Sequence, residues 1–178
     1  MSGSILLSHP SLQDPNFYKS IVFLSNHCED EGTLGVILNR PLGKQLFQLD
    51  DQFKNFALGE AEVFDGGPVD KEKLIIAAWD WKDNAQTFRL HFGIDISKAE
   101  SLREENKNIK IACFLGHSGW SPGQLENELK VDSWLISSLN LGLFEKVHTH
   151  SDCWKAAISR VSDEMKLLAN EPENPSIN

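Results

Sequence analysis

The chain has 178 residues, a mass of 20.0 kDa and a formal net charge of −9, with 40% hydrophobic and 24% charged residues. This composition is typical of one soluble domain, and we expect residues 1–170 to form it. The acidic balance, without any lysine- or arginine-rich run, argues against broad contact with nucleic acid. No apolar run is long enough for a membrane span, and three isolated cysteines fit a reducing cytoplasm.

The first part of the chain alternates short apolar segments with polar turns. Residues 5–7 and 20–25 are rich in branched and aromatic side chains and are predicted to be strands. Residues 34–38 follow an acidic turn and should form a hairpin with the preceding strand. Residues 45–57 predict an amphipathic helix, because their large apolar side chains recur at spacings of three and four.

Three further strands are predicted before the middle of the chain, at residues 62–64, 73–79 and 87–92. The first ends at residues 65–68, whose sequence DGGP is a strong turn signal. A polar turn separates the other two strands. A short helix is predicted from Ser97, with a glutamate three residues later in the capping-box position.

The strongest local signal lies in residues 108–129, NIKIACFLGHSGWSPGQLENEL. Residues 109–115 alternate with a period of two and predict a strand. Residues 116–119 are predicted to be a glycine loop. Ser121 is then predicted to be the N-cap of a helix, with proline at the first helical position and Gln124 three residues after the cap. A strand, a glycine loop and a helix in this order would direct several backbone N–H groups at one point, which suits an anion or a polar ligand.

The last part of the chain contains one clear helix. Residues 133–139 and 143–147 are predicted to be one more strand and a turn. Residues 152–168 predict a helix with one apolar stripe and Ser151 as its N-cap, and residues 171–178 should be a frayed tail. Strands and helices mix without a regular alternation, which favours an α+β fold.

The segment GHSGW at residues 116–120 raises the possibility of a serine hydrolase with Ser118 as the nucleophile and a nearby histidine as the base. The nucleophile-elbow pattern requires glycine two positions after the serine, and Trp120 stands there instead. Nothing in the order of the histidines marks one of them as the base. We favour the alternative that Ser118 is a loop hydroxyl bonded to its own backbone.

A metal cluster of His148, His150, Asp152 and Cys153 is a second chemical hypothesis, because two histidines two apart on a strand face the same side. No other ligand pair with a recognisable spacing accompanies them. We therefore favour a polar loop before the last helix, and we predict no metal or cofactor.

Four separated segments, HPSLQDPNFYKSIVFL, LGVILNRPL, DGGPV and FLGHSGWSPGQLENEL, occur in the order found in the AlgH/YqgE family of bacterial proteins. The chain resembles that family over residues 3–161. It departs from the usual pattern at His117, where the family commonly has tyrosine, and at Ser121, which is often glycine. The resemblance implies an α+β fold with a strongly bent, mixed or antiparallel sheet that forms a pseudo-barrel, with helices packed outside. It also implies a largely unassigned function, with some members labelled transcriptional regulators through a link to alginate control.

We therefore predict a cytoplasmic, non-enzymatic binding module with a regulatory role, whose partner is an unknown protein or a small anionic ligand. Direct DNA binding and membrane association are not expected. The alternative is an uncharacterised hydrolase that uses Ser118 and a nearby histidine.

We predict that the loop at residues 116–124 meets the loops at residues 8–16, 39–41 and 65–68, and that the site lies where these four loops converge. Asparagine and aspartate in such loops more commonly satisfy turns, and arginine more commonly satisfies carbonyls. Arg40, however, is the only basic group there that can bind a carboxylate or phosphate with two hydrogen bonds. The candidate residues are His9, Asp14, Asn16, Asn39, Arg40, Gly66, Gly67, Gly116, Ser118, Gly119, Trp120, Gly123 and Gln124.

Overall fold

The computed structural model describes residues 1–82, 87–139 and 152–170. Its strands are β1 (Ser4–Ser8), β2 (Ile21–Cys28), β3 (Gly32–Ile37), β4 (Pro41–Gln45), β5 (Glu62–Asp65), β6 (Val69–Lys82), β7 (Thr87–Ile94), β8 (Lys110–Trp120) and β9 (Trp134–Ser138). Its helices are α1 (Leu46–Leu49), α2 (Ile96–Glu105), α3 (Gln124–Lys130), α4 (Cys153–Ile158) and α5 (Asp163–Leu168), with 3₁₀ helices at Asp51–Asn55 and Ala57–Glu60. The predicted α+β class is confirmed.

Strand β8 organises the sheet, because it pairs with three other strands. Its first half lies between β5, which runs parallel to it, and β6, which runs antiparallel. Its last three residues pair instead with β3, and the sheet continues from there through β2 and β1 to β9. The sheet therefore divides into two branches along β8.

The described strands form one large mixed sheet that is not closed into a barrel. Strands β4, β7 and β9 each pair with one other described strand. A closed barrel has no such edges, so the pseudo-barrel that the resemblance implied is here an open, divided sheet.

Three apolar clusters form the core. The largest surrounds Phe64, Phe114 and Trp154 and joins β1, β2, β6 and β8 to α4. A second lies beneath α1 and α2 on the opposite face of β5, β6 and β8, since alternate residues of these strands belong to different clusters. The third joins β1–β3 to α3 and β9 around Trp120 and Trp134.

The predicted strands before residue 139 are all present, and β4 is a strand that the sequence did not predict. Strand β4 was missed because its five residues are all exposed and carry no buried alternation. Residues 143–147 and 171–178, for which a turn and a frayed tail were predicted, lie outside the described residues. Among the helices that the structure describes, none has the length and apolar content needed to cross a membrane.

The single amphipathic helix predicted at residues 45–57 is wrong. Helix α1 ends at Leu49, and the chain continues as two 3₁₀ helices. Asp50 has an extended conformation, with φ −145° and ψ 115°, and its carboxylate accepts a hydrogen bond from the N–H of Gln52. The aspartate therefore starts a new helix, because a side-chain cap competes with continuation of the old one.

The single helix predicted at residues 152–168 is also wrong, since α4 and α5 are separate. Ser162 has an extended conformation, and its hydroxyl oxygen accepts from the N–H of Met165 at 3.1 Å. A serine in this geometry is an N-cap, so it begins α5 and interrupts the apolar stripe that suggested one long helix.

Helix α2 begins earlier than predicted, because Asp95 and not Ser97 is its N-cap, accepting from the N–H of Lys98 at 2.7 Å. Glu100 does not complete a capping box. Its carboxylate accepts from two backbone N–H groups of the second 3₁₀ helix, the closer being that of Leu58 at 2.6 Å. Glu100 therefore ties α2 to the preceding segment.

Candidate functional site

The glycine loop predicted at residues 116–119 is part of β8, which runs unbroken from Lys110 to Trp120. The backbone here pairs with β6 and then with β3, so it does not form a free cradle of N–H groups. The loop prediction is therefore wrong. Glycine weakens a strand locally, but pairing with β6 at His117 and with β3 at the next three residues continues the strand.

The glycines serve a close approach between two segments. The turn after β5 crosses β8, and the Gly66 N–H donates to the carbonyl of Leu115 at 2.8 Å. A Cβ atom on Gly66 would collide with the carbonyl oxygen of Gly116, and one on Gly67 would collide with that of His117. Backbone packs against backbone here, so these glycines have a structural role.

Ser118 lies inside this junction with 0% of its surface exposed. Its hydroxyl donates to the carbonyl oxygen of Gly66 at 3.4 Å, and no described histidine forms a hydrogen bond with it. His27, for example, is bonded to Thr33 at 2.7 Å. A serine nucleophile needs both an adjacent base and access to its substrate, and the described residues provide neither.

Helix α3 begins at Gln124 with Gly123 as its N-cap, at φ 74°, whereas the sequence predicted Ser121 as the cap. One predicted bond is present, since the side-chain oxygen of Gln124 accepts from the N–H of Ser121 at 3.0 Å. Its amide nitrogen donates to Glu128 at 2.8 Å. Both polar atoms of the Gln124 side chain therefore form hydrogen bonds that stabilise the start of the helix.

Trp120 belongs to an aromatic cluster with Phe17 and Trp134, whose ring centroids lie 5.9 Å and 5.8 Å from its own. Both indole N–H groups donate to one carboxylate oxygen of Glu128, at 2.8 Å and 2.7 Å. This carboxylate joins β8 and β9 to α3. The sequence reasoning missed Glu128, although buried indole N–H groups require an acceptor.

Residues 9–20 link β1 to β2, and Asn39 holds the end of this loop. Its side-chain oxygen accepts from the N–H of Ile21, and its amide nitrogen donates to the carbonyl of Lys19, both at 2.8 Å. The start of the loop is held by Trp154, whose indole N–H donates to the carbonyl of Ser8 at 3.0 Å. Asn39 therefore has a structural role, and the loop is fixed at both ends.

The outer side of the loop carries three of the predicted site residues. The carboxylate of Asp14 accepts from the N–H of Asn16 at 2.8 Å, and both residues are exposed. The half-buried His9 lies with its Nδ1 2.7 Å from the hydroxyl of Ser11. These bonds shape the loop, and they leave its polar groups facing solvent.

Arg40 reaches this loop from the end of β3. One guanidinium nitrogen lies 3.4 Å from the carbonyl oxygens of Pro15 and Tyr18, at the long limit for a hydrogen bond. In the described parts of the chain, no carboxylate forms an ion pair with Arg40. The carbonyl of Arg40 accepts from the N–H of Asp65 at 2.9 Å, which places the turn after β5 beside it.

The predicted site residues thus fall into three groups. A surface group on loop 9–20 and its neighbour contains His9, Asp14, Asn16 and Arg40, with Asn39 supporting it. A buried group at the crossing of the two backbones contains Gly66, Gly67, Gly116 and Ser118. A third group, at the end of β8 and the start of α3, contains Gly119, Trp120, Gly123 and Gln124. Phe17 connects the loop to the third group through its contact with Trp120.

The described residues include no cluster of three or more histidine, cysteine, aspartate or glutamate side chains able to hold a metal ion. Of the metal cluster considered from the sequence, His148 and His150 lie outside the described residues. Cys153 is buried, and burial raises the pKa of its thiol. Burial also raises the pKa of the Cys113 thiol to about 12. A buried thiol with a raised pKa is a poor nucleophile at neutral pH.

Comparison with known proteins gives a consistent result. A family model described as AlgH-like matches residues 5–166. A UPF0301 protein of Streptomyces avermitilis is 30% identical over 186 residues, covering 100% of this chain and 95% of that protein. One from Thermobifida fusca is 30% identical over 196 residues, covering 100% and 96%.

Two solved structures have a similar fold. Protein DIP2367 from Corynebacterium diphtheriae has a TM-score of 0.73 at 21% identity, covering 96% of this chain and 92% of that one. The solution structure of the AlgH protein from Pseudomonas aeruginosa, also named UPF0301, has a TM-score of 0.63 at 25% identity, covering 97% and 94%. Both alignments extend over nearly the whole chain.

Proposed function

The chain belongs to the AlgH-like family, and we propose that it is a cytoplasmic, non-enzymatic binding protein with a regulatory role. Its partner in this proposal is a protein that binds the exposed polar side of loop 9–20 together with Arg40. We call this the loop surface, and its residues are His9, Asp14, Asn16 and Arg40.

The observation that carries the proposal is that buried contacts hold the loop in place while its solvent-facing side is polar. Asn39 and Trp154 hold the two ends of the loop, and Phe17 packs against both Trp120 and Trp134. A loop that is already ordered loses little conformational entropy when it binds. Exposed polar residues on a rigid scaffold are the usual form of a recognition site.

Arg40 supplies the positive charge of this surface. Its guanidinium is held by two long contacts to carbonyl oxygens, which leaves it able to form two parallel hydrogen bonds with a carboxylate. Arginine is enriched among the residues that dominate binding energy at protein interfaces. An acidic side chain on the partner is therefore the expected counterpart of Arg40.

The described chemistry supports binding over catalysis. Ser118 is enclosed and bonded to a carbonyl, and the thiols of Cys113 and Cys153 are buried. The net charge of −9 opposes direct contact with a DNA backbone, so a regulatory role would work through a protein.

The test is affinity capture from a bacterial lysate with the full chain as bait, using wild type, Arg40→Ala and the matched control Lys44→Ala on the exposed strand β4. A partner retained by wild type and by Lys44→Ala but lost by Arg40→Ala supports the proposal. The same proteins captured by all three baits would overturn it, provided that circular dichroism shows each bait folded.

A thermal-shift screen separates the other classes of ligand. The panel holds phosphate, sulfate, nucleotides and duplex DNA at low and moderate salt, and a ligand at a hundred times its Kd adds about 2.7 kcal/mol of stability. A shift with a small anion that Arg40→Ala abolishes would assign the surface to an anionic ligand. A salt-sensitive shift with DNA would instead support direct DNA binding.

A further inference from the structure

Strand β7 forms an open edge of the sheet. It runs from Thr87 to Ile94 and pairs with β6 on one side. Among the described residues, no other strand pairs with it, and its backbone forms no backbone hydrogen bond outside the ladder with β6. Every second residue of such a strand directs its N–H and C=O groups away from the sheet. These groups are available to another strand.

The edge of β7 lacks the features that normally prevent two sheets from joining, which are short length, proline, lysine and bulges. The edge strand β4 has all four, since its five exposed residues begin with proline, include a lysine and shift register against β5. Strand β7 has eight residues without proline or lysine, and it keeps a regular register with β6 from Thr87 to Phe92. Its charged side chain, Arg89, is bonded back to Asp80 of β6 at 2.8 Å.

The apolar face of β7 is incompletely covered. Phe88, Leu90 and Phe92 are alternate residues that pack against the largest apolar cluster, but each is only partly buried. Trp79, which lies opposite Leu90 on β6, is only 6% exposed. One further strand beside β7 would cover the three side chains, because side chains of adjacent strands pack against each other.

The polar face of β7 is balanced in charge, although the chain as a whole carries −9. A cleft of about 440 Å³ lies between this face and α2. Of the cations that line it, Arg89 is paired with the buried Asp80, and Lys98 shares α2 with Glu105. A second copy of this acidic chain can therefore approach here without the repulsion that its net charge would cause elsewhere.

We propose that two copies of this chain form a twofold dimer by pairing their β7 strands antiparallel, so that one sheet continues through both molecules. The regular part of the strand, residues 88–92, is centred on Leu90, and the twofold axis passes beside that residue. Phe88 then lies opposite Phe92 of the second copy on the apolar face. Arg89 lies opposite the second copy's His91 on the polar face, since directly paired residues share a face.

The same axis sets the α2 helices of the two copies side by side in opposite directions. Helix α2 packs over β6 through the second apolar cluster, and the two β6 strands are three strand spacings apart, about 14 Å. Lys98 and Glu105 lie about two turns apart on α2, so the reversal brings Lys98 within reach of Glu105 of the second copy. None of these residues belongs to the loop surface, so the dimer stands or fails independently of the proposed function.

The first experiment is sedimentation equilibrium of the full chain from about 5 µM to about 500 µM, at about 0.15 M salt. The average mass should rise with concentration from 20.0 kDa toward twice that value, with a Kd of about 10–100 µM, because a single strand pair buries a small interface. Hydrogen exchange of the β7 amides should slow over the same range. A chain that stays monomeric throughout would overturn the proposal.

Two pairs of variants test whether β7 is the surface that pairs. His91→Asp places a carboxylate opposite Arg89 of the second copy twice in each dimer and should tighten association about tenfold, whereas His91→Lys should weaken it about tenfold. Asn127→Asp and Asn127→Lys make the same changes in charge at an exposed position on α3 and should stay within about twofold of wild type. With every variant shown to be folded by circular dichroism, equal association of His91→Asp and His91→Lys would refute pairing through β7.

Discussion

A Cβ atom placed on Gly116 would lie 2.6 Å from the carbonyl oxygen of Gly67, closer than a real Cβ approaches any backbone oxygen. At the same position the backbone of Gly116 has φ 72°, a left-handed conformation that disfavours every residue with a side chain. Two independent constraints therefore meet where the turn after β5 crosses β8. This crossing supports both branches of the sheet.

Gly116→Ala should lower the free energy of unfolding by about 3 kcal/mol or more, because it adds a backbone clash to the cost of the left-handed conformation. Gly43→Ala is the matched control, since Gly43 has φ 65° and no atom lies within 4 Å of the position that a Cβ atom would take there. It should lose only about 1–2 kcal/mol. Urea unfolding of both variants measures the difference, and equal losses would show that the close approach is unimportant.

Glu128→Ala should destabilise the protein by about 2–4 kcal/mol, because it removes the acceptor of two indole N–H groups. Glu128→Gln should lose less, since a neutral side-chain oxygen can still accept from Trp120 and Trp134. The measurements are the urea midpoint and the tryptophan emission. Glu104→Ala, on the exposed side of α2, is the control and should stay within about 0.5 kcal/mol of wild type. A Glu128→Ala protein as stable as this control would contradict the proposed bridging role.

The sequence predicted the strands well, because branched and aromatic residues recur with the period that buried strands require. It predicted the path of residues 116–119 wrongly for a physical reason. Gly116 and Gly119 favour a break in local terms, and Gly116 does leave the extended conformation, with φ 72°. The strand nevertheless continues to Trp120, because β6 pairs with His117 and β3 pairs with the next three residues. Pairing with strands distant in sequence is decided by the whole fold, and no local pattern contains it.

For the helices, the sequence pattern predicted elements that were too long. Apolar periodicity at residues 45–57 and 152–168 suggested two long helices, whereas Asp50 and Ser162 each begin a new helix through a side-chain cap. A single polar residue inside an apolar stripe was therefore more informative than the stripe itself.

The candidate site was only partly accessible to sequence reasoning. The sequence marks the motif residues, but the glycines that suggested a ligand cradle pack backbone against backbone. The partners that give the other residues their roles, such as Glu128 for Trp120, come from separate elements.

Asn39→Asp should destabilise the protein although it preserves the shape of the side chain. The aspartate can still accept from the N–H of Ile21, but it replaces the donor to the Lys19 carbonyl with an oxygen. We expect Asn39→Asp to lower the free energy of unfolding by about 1–3 kcal/mol. In Asn39→Ala, which removes both hydrogen bonds, the amide of Ile21 should exchange its hydrogen faster. Asn127→Ala, at an exposed position on α3, is the control. Unaltered exchange at Ile21 in Asn39→Ala would show that Asn39 does not hold the loop.

Cys113 should make the stability of the protein depend on pH in the alkaline range. Burial raises the pKa of its thiol from 9.0 to about 12, so between these values the folded chain keeps a proton that the unfolded chain loses. The contribution is fully present below pH 9 and is lost progressively as the pH rises toward 12. Unfolding in urea at pH 8 and pH 10 should therefore show a fall of about 1 kcal/mol that is specific to this thiol.

Two variants isolate the effect of the Cys113 thiol from other groups that titrate in the same range. Cys113→Ala removes the thiol, so its free energy of unfolding should fall less between pH 8 and pH 10 than that of wild type. Leu125→Ala makes a cavity in the third apolar cluster, away from Cys113, and keeps the thiol buried, so it should be less stable with an unchanged pH dependence. An equal pH dependence in wild type and Cys113→Ala would mean that the buried thiol does not retain its proton, since nothing else distinguishes their titration.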